Sequence, residues 1–451
     1  MGSIAKEIDA KELEKEFLPF LRMYKDGTVE RLLGTPYVPP SPLDPETEVS
    51  SKDITISLDP SISARLYLPK FNQTHHQKLP ILVYYHGGGF CIESAFSSDH
   101  HRFLNSLVAQ GQVVAVSVEY RLVPEHFLPN AYEDCWAALQ WVASHVKDDN
   151  VVNKEPWLMN HGDFSRVFLG GDSAGANIVH NTAMRAGVES LHDGVKLVGA
   201  FLTHPYFWGS KPVRSEASEG HDKALPCLVW NFVYPNAPGG IDNPMINPFV
   251  ETGAHSLAVL GCSRVLVAVA EKDELRDRGV YYYEELIKSK WEGEAELVQV
   301  EGEDHAFHVL NFETENAKTL IKRLASFLLK PKPPTQSAAG PWQLIIKVAG
   351  FRNKKKNRRA HVYEAINTQG DFMFFGVNSS LARTAPGVLL EAVVEACLIA
   401  ENHGLHHVLF LSDCRGLVKV FNSGRASDGQ DNVRLADINF LVLHGFLCKM
   451  I

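Results

Sequence analysis

"FLGGDSAGANIVH", residues 168–180, carries a serine with a glycine two positions before it and another two positions after it. The apolar run "RVFLG" (166–170) reads as a buried strand, and "GANIVHNTAMRAG" (175–187) reads as a helix. A serine on such a strand-to-helix turn is lifted clear of the sheet, and side chains at the flanking positions would run into neighbouring backbone, which is why glycines stand there. Ser173 is therefore a candidate nucleophile. A glycine-rich turn or a phosphate loop shares the same five-residue pattern, so other motifs must decide.

Working outward, short apolar runs alternate with helix-patterned segments from about residue 53 to 330: "ILVYY" (81–85), "VVAVSV" (113–118), "RVFLG", "LVGAFLT" (197–203), "RVLVAVA" (264–270) and "ELVQV" (296–300). Near-continuous apolar runs belong to strands buried on both faces, which predicts a mostly parallel α/β sheet covered by helices. "NAYEDCWAALQWVASHV" supplies one such helix, with Trp136, Leu139, Val142 and Val146 on its inner face. "TENAKTLIKRLASFLLK" (314–330) closes the domain, with Leu320, Leu324 and Leu328 at intervals of four. The first 50 residues run from a charged, helix-like piece into "TPYVPPSPLDP", too proline-rich for a sheet, and are expected to drape over the domain as a cap.

Two further motifs bear on Ser173. "YYHGGGF" (84–90) places three glycines at the end of an apolar strand, where backbone N–H groups can approach a substrate oxygen without side chains in the way. "RVLVAVAEKDELRDRG" puts Asp273 just beyond one strand, and "ELVQVEGEDHAFHVL" puts His305 just beyond the next. Asp277 or Glu274 could serve as the acid and His308 as the base; nearness to a strand end favours Asp273 and His305. The order Ser, Asp, His, each in a loop after a strand, is that of the α/β-hydrolase fold.

"HGGGF", "VEYRLVPEH", "PNAYEDCWAALQWV", "GDSAGANI", "DELRDRG" and "EDHAFH" together resemble the plant carboxylesterase family, the hormone-sensitive-lipase-like branch of the α/β-hydrolases, over about residues 10–330. The resemblance implies a carboxylic-ester hydrolase with Ser173 as nucleophile, His305 as general base and Asp273 orienting it. It implies an oxyanion hole from backbone N–H groups of Gly87, Gly88, Gly89 and Ala174. The N-terminal segment and "LPCLVWNFVYP" (225–235) would wall the substrate pockets. Within the family, the soluble gibberellin receptor has lost the catalytic histidine, which His305 argues against here. The 2-hydroxyisoflavanone dehydratases share the scaffold with Thr or Ser at the nucleophile position, so a hydroxyisoflavanone-like substrate stands beside a small-molecule ester as the alternative. No metal or organic cofactor is implied.

A linker, "KPKPPTQSAAG", ends this domain, so the expected organisation is 1–330 hydrolase, 331–341 linker and 342–451 a smaller α/β domain. In that domain "WQLIIKVAG", "HVYEAIN" and "DFMFFGV" read as three strands, followed by a helix at about 388–402, a strand "HVLFLSD" (407–413) and further helix. "LEAVVEACLIAENHG" and "LFLSDCRGLV" resemble the plant ribonuclease-H-like domain. Glu391 and Asp413 match two of its metal-holding carboxylates, whereas residues 342–351 contain no Asp or Glu and the sequence stops before a last carboxylate. The expectation is a non-catalytic domain. The run "RNKKKNRR" (352–359) reads as a solvated hairpin tip, with phosphate contact or nuclear import as its other readings.

Composition sets the remaining bounds. A net charge of −9 offers no general attraction to nucleic acid or anionic membranes. The seven cysteines form no C-x-x-C pair, so neither a zinc site nor a disulfide framework is expected. "MGSIAKEIDAKELEKEF" has no apolar core of a secretory signal, and Lys6 breaks the myristoylation pattern. With no apolar stretch long enough to span a membrane, a cytoplasmic protein is expected, nuclear entry resting on the basic run.

Overall fold

The computed structural model describes residues 11–70, 78–146, 154–250, 256–330, 344–353, 358–367, 372–380, 382, 384–402, 407–411 and 447–450. The chain divides into two compact units, Met1–Lys332 and Pro333–Ile451.

The first unit begins with a small antiparallel sheet, β1 (Leu13–Phe17), β2 (Leu21–Tyr24) and β3 (Val29–Arg31). The helix-like reading of the charged segment is corrected here. Turns close at Phe17–Phe20 and Tyr24–Gly27, too soon for a helix to propagate, and the charges pair across strands, Arg22 with Glu16 at 3.4 Å and the Tyr24 hydroxyl with Glu30 at 2.6 Å. The proline-rich stretch beyond it contributes an isolated bridge, Tyr37 to Ser97, and no strand.

The central sheet comprises β4 (Ser50–Leu58), β5 (Ser61–Leu68), β6 (Leu79–Tyr85), β7 (Val114–Glu119), β8 (Gly162–Asp172), β9 (Leu197–Thr203), β10 (Arg264–Ala270) and β11 (Glu294–Val300), in the order β11-β10-β9-β8-β6-β7-β5-β4. All pairings from β7 through β11 are parallel; β5 runs antiparallel to β4 and β7. The six apolar runs lie in β6 to β11. The half-exposed edge strand β4 and its partner β5 were not among them, because an edge strand buries one face only.

Alternation along each strand feeds two cores. Ile81, Val83 and Tyr85 of β6 face one, with α2 (Asn130–Ala143), α4 (Ala174–Val188), α5 (Leu225–Val233) and α6 (Arg276–Lys288); Leu82 and Tyr84 face the other, with α1 (Ser98–Gly111), α7 (Phe307–Leu310) and α8 (Glu315–Leu329). The short α3 (Pro156–His161) buries Leu158. Trp136, Leu139 and Val142 are buried as expected, but α2 ends at Ala143, which leaves Val146 outside it and 38% exposed. Because β7 and β8 lie on opposite flanks of β6, the strand order reverses there, and the carboxyl ends of β6 and β8 are where an open α/β sheet of this kind places its ligand crevice.

The second unit has β12 (Leu344–Asn353), β13 (Arg358–Asn367) and β14 (Phe372–Ser380) as an antiparallel meander, then α9 (Ala385–Asn402), β15 (His407–Leu411) and β16 (Leu447–Met450). The sheet order is β14-β13-β12-β15-β16, with β15 parallel to both β12 and β16. Leu390, Val393, Ala396 and Cys397 of α9 pack on Leu344, Ile346 and Tyr363. The expected linker 331–341, the centre of the basic run (354–357), Asp413 and the further helix lie outside the described residues. Among the described residues no helix is long and apolar enough to cross a membrane, and the described cysteines are free thiols.

The division predicts that a chain ending at Lys332 folds alone. Its melting temperature should match the main transition of the full chain within about 3 °C, measured by circular dichroism. A shift of ten degrees or more would mean that the second unit supports the first.

Candidate active site

Ser173 joins β8 to α4 with φ 52° and ψ −118°, a backbone setting that β-branched or bulky residues avoid. Its N–H donates to Thr203 O at 2.9 Å, and its own carbonyl accepts from Tyr206 N at 3.1 Å. The glycines are needed for clearance: a Cβ on Gly175 would stand 2.0 Å from Tyr85 O, and one on Gly171 would stand 2.6 Å from the Gly175 carbonyl carbon.

Asp273 follows β10 and His305 follows β11, at the same sheet edge as Ser173. His305 Nε2 lies 2.9 Å from Ser173 Oγ and His305 Nδ1 lies 2.8 Å from Asp273 Oδ2. A carboxylate only accepts, so Nδ1 carries the proton and Nε2 presents its lone pair to the serine hydroxyl. Asp273 is buried and accepts Leu275 N on Oδ1 at 2.9 Å. Burial alone would raise its pKa; its bonds from His204 and His305 outweigh that and hold it well below the usual carboxylate range. Burial opposes charge on His305, yet the hydrogen bond to Asp273 and the charges of Asp273 and Asp172 leave its pKa raised.

The glycine loop leaves β6 beside this serine. Gly88 has φ +102° and Gly89 has φ +59°, and a Cβ on Gly88 would stand 2.2 Å from Ile92 O. Gly87 N donates to Asp172 Oδ1 at 3.0 Å, so this N–H is already engaged and does not belong with the free donors. Gly88 N, Gly89 N and Ala174 N have no acceptor among the described residues. Beside Gly89 stand Val229 of α5 and Phe20 from the turn between β1 and β2, and Phe17 stacks on Phe232 at 4.2 Å. Arg31 of β3 ties this wall down, with Nε on Cys91 O at 2.8 Å and two bonds to Glu125.

A serine hydroxyl, an imidazole and a carboxylate thus stand in one hydrogen-bonded line beside three backbone N–H groups that have no acceptor among the described residues. The sequence profile of the alpha/beta hydrolase fold matches residues 82–309. A 2-hydroxyisoflavanone dehydratase of Glycyrrhiza echinata is 58% identical over 330 residues, covering 73% of this chain and 100% of that protein. This chain is an α/β hydrolase. Probable carboxylesterase 2 of Arabidopsis thaliana is 44% identical over 322 residues, covering 71% of this chain and 98% of that protein. Among solved structures, an esterase of Pyrobaculum calidifontis superposes with TM-score 0.50 at 28% identity, over 62% of this chain and 84% of its own. The hydrolase is thus an enzyme of the carboxylesterase kind.

The rival residues are placed elsewhere in the hydrolase. Asp277 accepts from Ser215 N at 2.9 Å and from Arg276, and Glu274, hydrogen-bonded to neither His305 nor Ser173, lines a cleft of about 410 Å³ that Asp273 and Asp277 also border. His308 is fully buried, both ring nitrogens lack a hydrogen-bond partner among the described residues, and burial drives its pKa well below the ordinary value. Three contributors were not singled out by the sequence reading. His204, directly after β9, also reaches Asp273 Oδ2, at 3.0 Å. His204, Asp273 and His305 bring ligand-type atoms within 4.8 Å of one another, but both imidazole N–H groups already point at the same carboxylate. Asp172 and His100 form a buried pair behind the glycine loop, Nε2 to Oδ1 3.3 Å, and Asp172 also accepts from Tyr84 OH at 2.6 Å. The signal for Asp172 was its place inside the serine motif.

Burial opposes charge on both members of that pair, and their mutual attraction wins: Asp172 falls well below the carboxylate range and His100 rises to about 10. The Asp172 contribution to stability is present above the unfolded carboxyl value and lost as pH falls. The His100 contribution is complete below about pH 6.5 and is lost as pH rises toward about 10. Asp172→Asn should therefore destabilise the hydrolase most near pH 5.5, and the gap to wild type should narrow by about pH 9.5, read by urea unfolding. A gap that is constant across that range would contradict the ion pair.

Proposed function

We propose that this hydrolase cleaves small carboxylic esters through a Ser173 acyl-enzyme. The observation that carries the proposal is the unbroken hydrogen-bonded line Ser173 Oγ, His305, Asp273, with distances of 2.9 and 2.8 Å. Ser173 Oγ attacks the acyl carbonyl while His305 Nε2 takes its proton. Asp273 holds the Nδ1 proton and stabilises the imidazolium that forms. The carbonyl oxygen, now negative, receives the N–H groups of Gly88, Gly89 and Ala174, each such donor being worth roughly 10²–10³ in rate. His305 returns the proton to the departing alcohol, and the same histidine then activates water to release the acid. Apolar walls from Phe20 and Val229 suit a substrate with an apolar acyl or aromatic group.

A second proposal, dehydration of a 2-hydroxyisoflavanone, is favoured by one observation, the 58% identity to a 2-hydroxyisoflavanone dehydratase across that protein's whole length. On that route His305 removes a proton next to the ketone, the three N–H groups hold the carbonyl oxygen, and hydroxide leaves. Ser173 forms no covalent bond.

For the second unit we propose a ribonuclease-H-like fold without nuclease activity. The sheet order β14-β13-β12-β15-β16, with a meander followed by two parallel strands, supports the fold. The missing carboxylate in β12 supports the loss of chemistry, since two metal ions need several such ligands. Nucleic acid is not expected as a partner. The full chain should leave an RNA–DNA hybrid intact in Mg²⁺, and hybrid cleavage abolished by Asp413→Asn would overturn this assignment.

The two routes separate by mutation. On p-nitrophenyl acyl esters, Ser173→Ala and His305→Ala should each lose at least about 10⁴-fold in rate, while His308→Leu stays within about threefold of wild type. With 2-hydroxyisoflavanone, His305→Ala should again abolish turnover, but Ser173→Ala should spare much of it if dehydration is the native reaction. Ester cleavage that survives Ser173→Ala would rule out the acyl-enzyme.

A further inference from the structure

His204 stands at a positive φ, an uncommon setting for a residue other than glycine. Its φ is 51°, it directly follows the last residue of β9, and its N–H is fixed to Ala268 O of β10 at 2.8 Å. The ring is fully buried. Its Nδ1 lies 3.0 Å from Asp273 Oδ2, the same oxygen that His305 Nδ1 reaches at 2.8 Å, and the two rings meet nearly edge to face, 5.5 Å apart at 76°.

We propose that His204 is a positioning residue that shares the Asp273 carboxylate with His305 and thereby sets the pH at which His305 becomes a free base. The proposal rests on His305 acting as the base, as argued above. The carboxylate accepts only, so both imidazoles present an Nδ1–H to one oxygen. Burial lowers the pKa of His204, among the described residues its Nε2 has no hydrogen-bond partner, and its ring stacks on that of His308 with centroids 5.2 Å apart at 13°. His204 is thus a buried N–H donor whose partner is fixed by geometry.

The groups facing this pair can be named. His204 meets Asp273 and His305 from the loops after β10 and β11, His308 from α7, and Asp172 at the end of β8. His305 meets Asp273, Asp172, Asp304, His308 and Glu274. Asp172 is itself neutralised by His100 of α1. Asp273 is therefore the group that most strengthens the hold of His305 on a second proton, and a second N–H on its Oδ2 weakens that hold. The same bond fixes the carboxylate plane, so that Oδ2 cannot turn away from His305 when the serine proton arrives.

Two variants separate the donor from the packing. Asparagine tolerates positive φ, and its Nδ2 hangs from Cγ as the imidazole Nδ1 does, so His204→Asn retains the N–H; His204→Phe retains a ring and loses it. In His204→Phe the acid limb of kcat/KM for ester cleavage should move to higher pH by about half a unit to one unit, with KM little changed, whereas His204→Asn should stay near wild type. A folded His204→Phe enzyme with an unmoved limb, or an asparagine variant displaced as far as the phenylalanine variant, would overturn the proposal. Proton NMR of the wild type tests the shared carboxylate without relying on folding of His204→Phe or on catalysis. Two protected downfield imidazole N–H resonances are expected, one of which disappears in His204→Asn, while the other titrates with His305. A single resonance in the wild type, or a His204 resonance that titrates independently, would contradict the proposal. If ester cleavage proved independent of His305 while both resonances were present, the assignment of the base would fail and the shared carboxylate would stand.

Discussion

The backbone at Ser173 is the constraint from which the site hangs. Holding a serine at φ 52° between a strand and a helix is unfavourable by itself, and two features of the surroundings enforce it. Its N–H and C=O are bonded to Thr203 and Tyr206, and the end of β6 passes so close that only glycine fits at 175. That same close approach brings Gly87 within reach of Asp172, the residue before the serine, and so couples the glycine loop to the turn at Ser173. The loop and the serine are parts of one rigid corner.

Two buried histidine–carboxylate contacts flank that corner, and the pKa of the histidine is shifted in opposite directions in the two. His100 has Asp172 at 3.3 Å and Glu93 at 3.6 Å, and two nearby negative charges outweigh its burial. His204 has one carboxylate in contact, and His305 shares it; burial then prevails and the His204 pKa is lowered. The first contact, a charged pair, lies behind the glycine loop. The second lies beside His305 and shares its carboxylate, which suits the positioning role proposed for His204.

Much of this was legible in the sequence because parallel α/β sheets collect functional residues at strand ends. Ser173, Asp273 and His305 each lie within a few residues of an apolar run, and the fold brings them into hydrogen-bond contact. What escaped depends on contacts distant in sequence. The charged segment before Phe17 fits a helix or a strand, and packing on Phe232 decides between them. Gly87 looks like its neighbours until Asp172 takes its N–H. His204 is one of 20 histidines, and nothing local marks it; its partner is fixed only when β9 pairs with β10.

The claim that Ser173 is a nucleophile activated by His305 has a direct chemical test. Treat the full chain with a fluorescent alkyl phosphonofluoridate and map the modified peptide by mass spectrometry. The account predicts one label per chain, on Ser173, at a rate that falls as acid protonates His305. Labelling on any other residue, or none while ester cleavage continues, would contradict it.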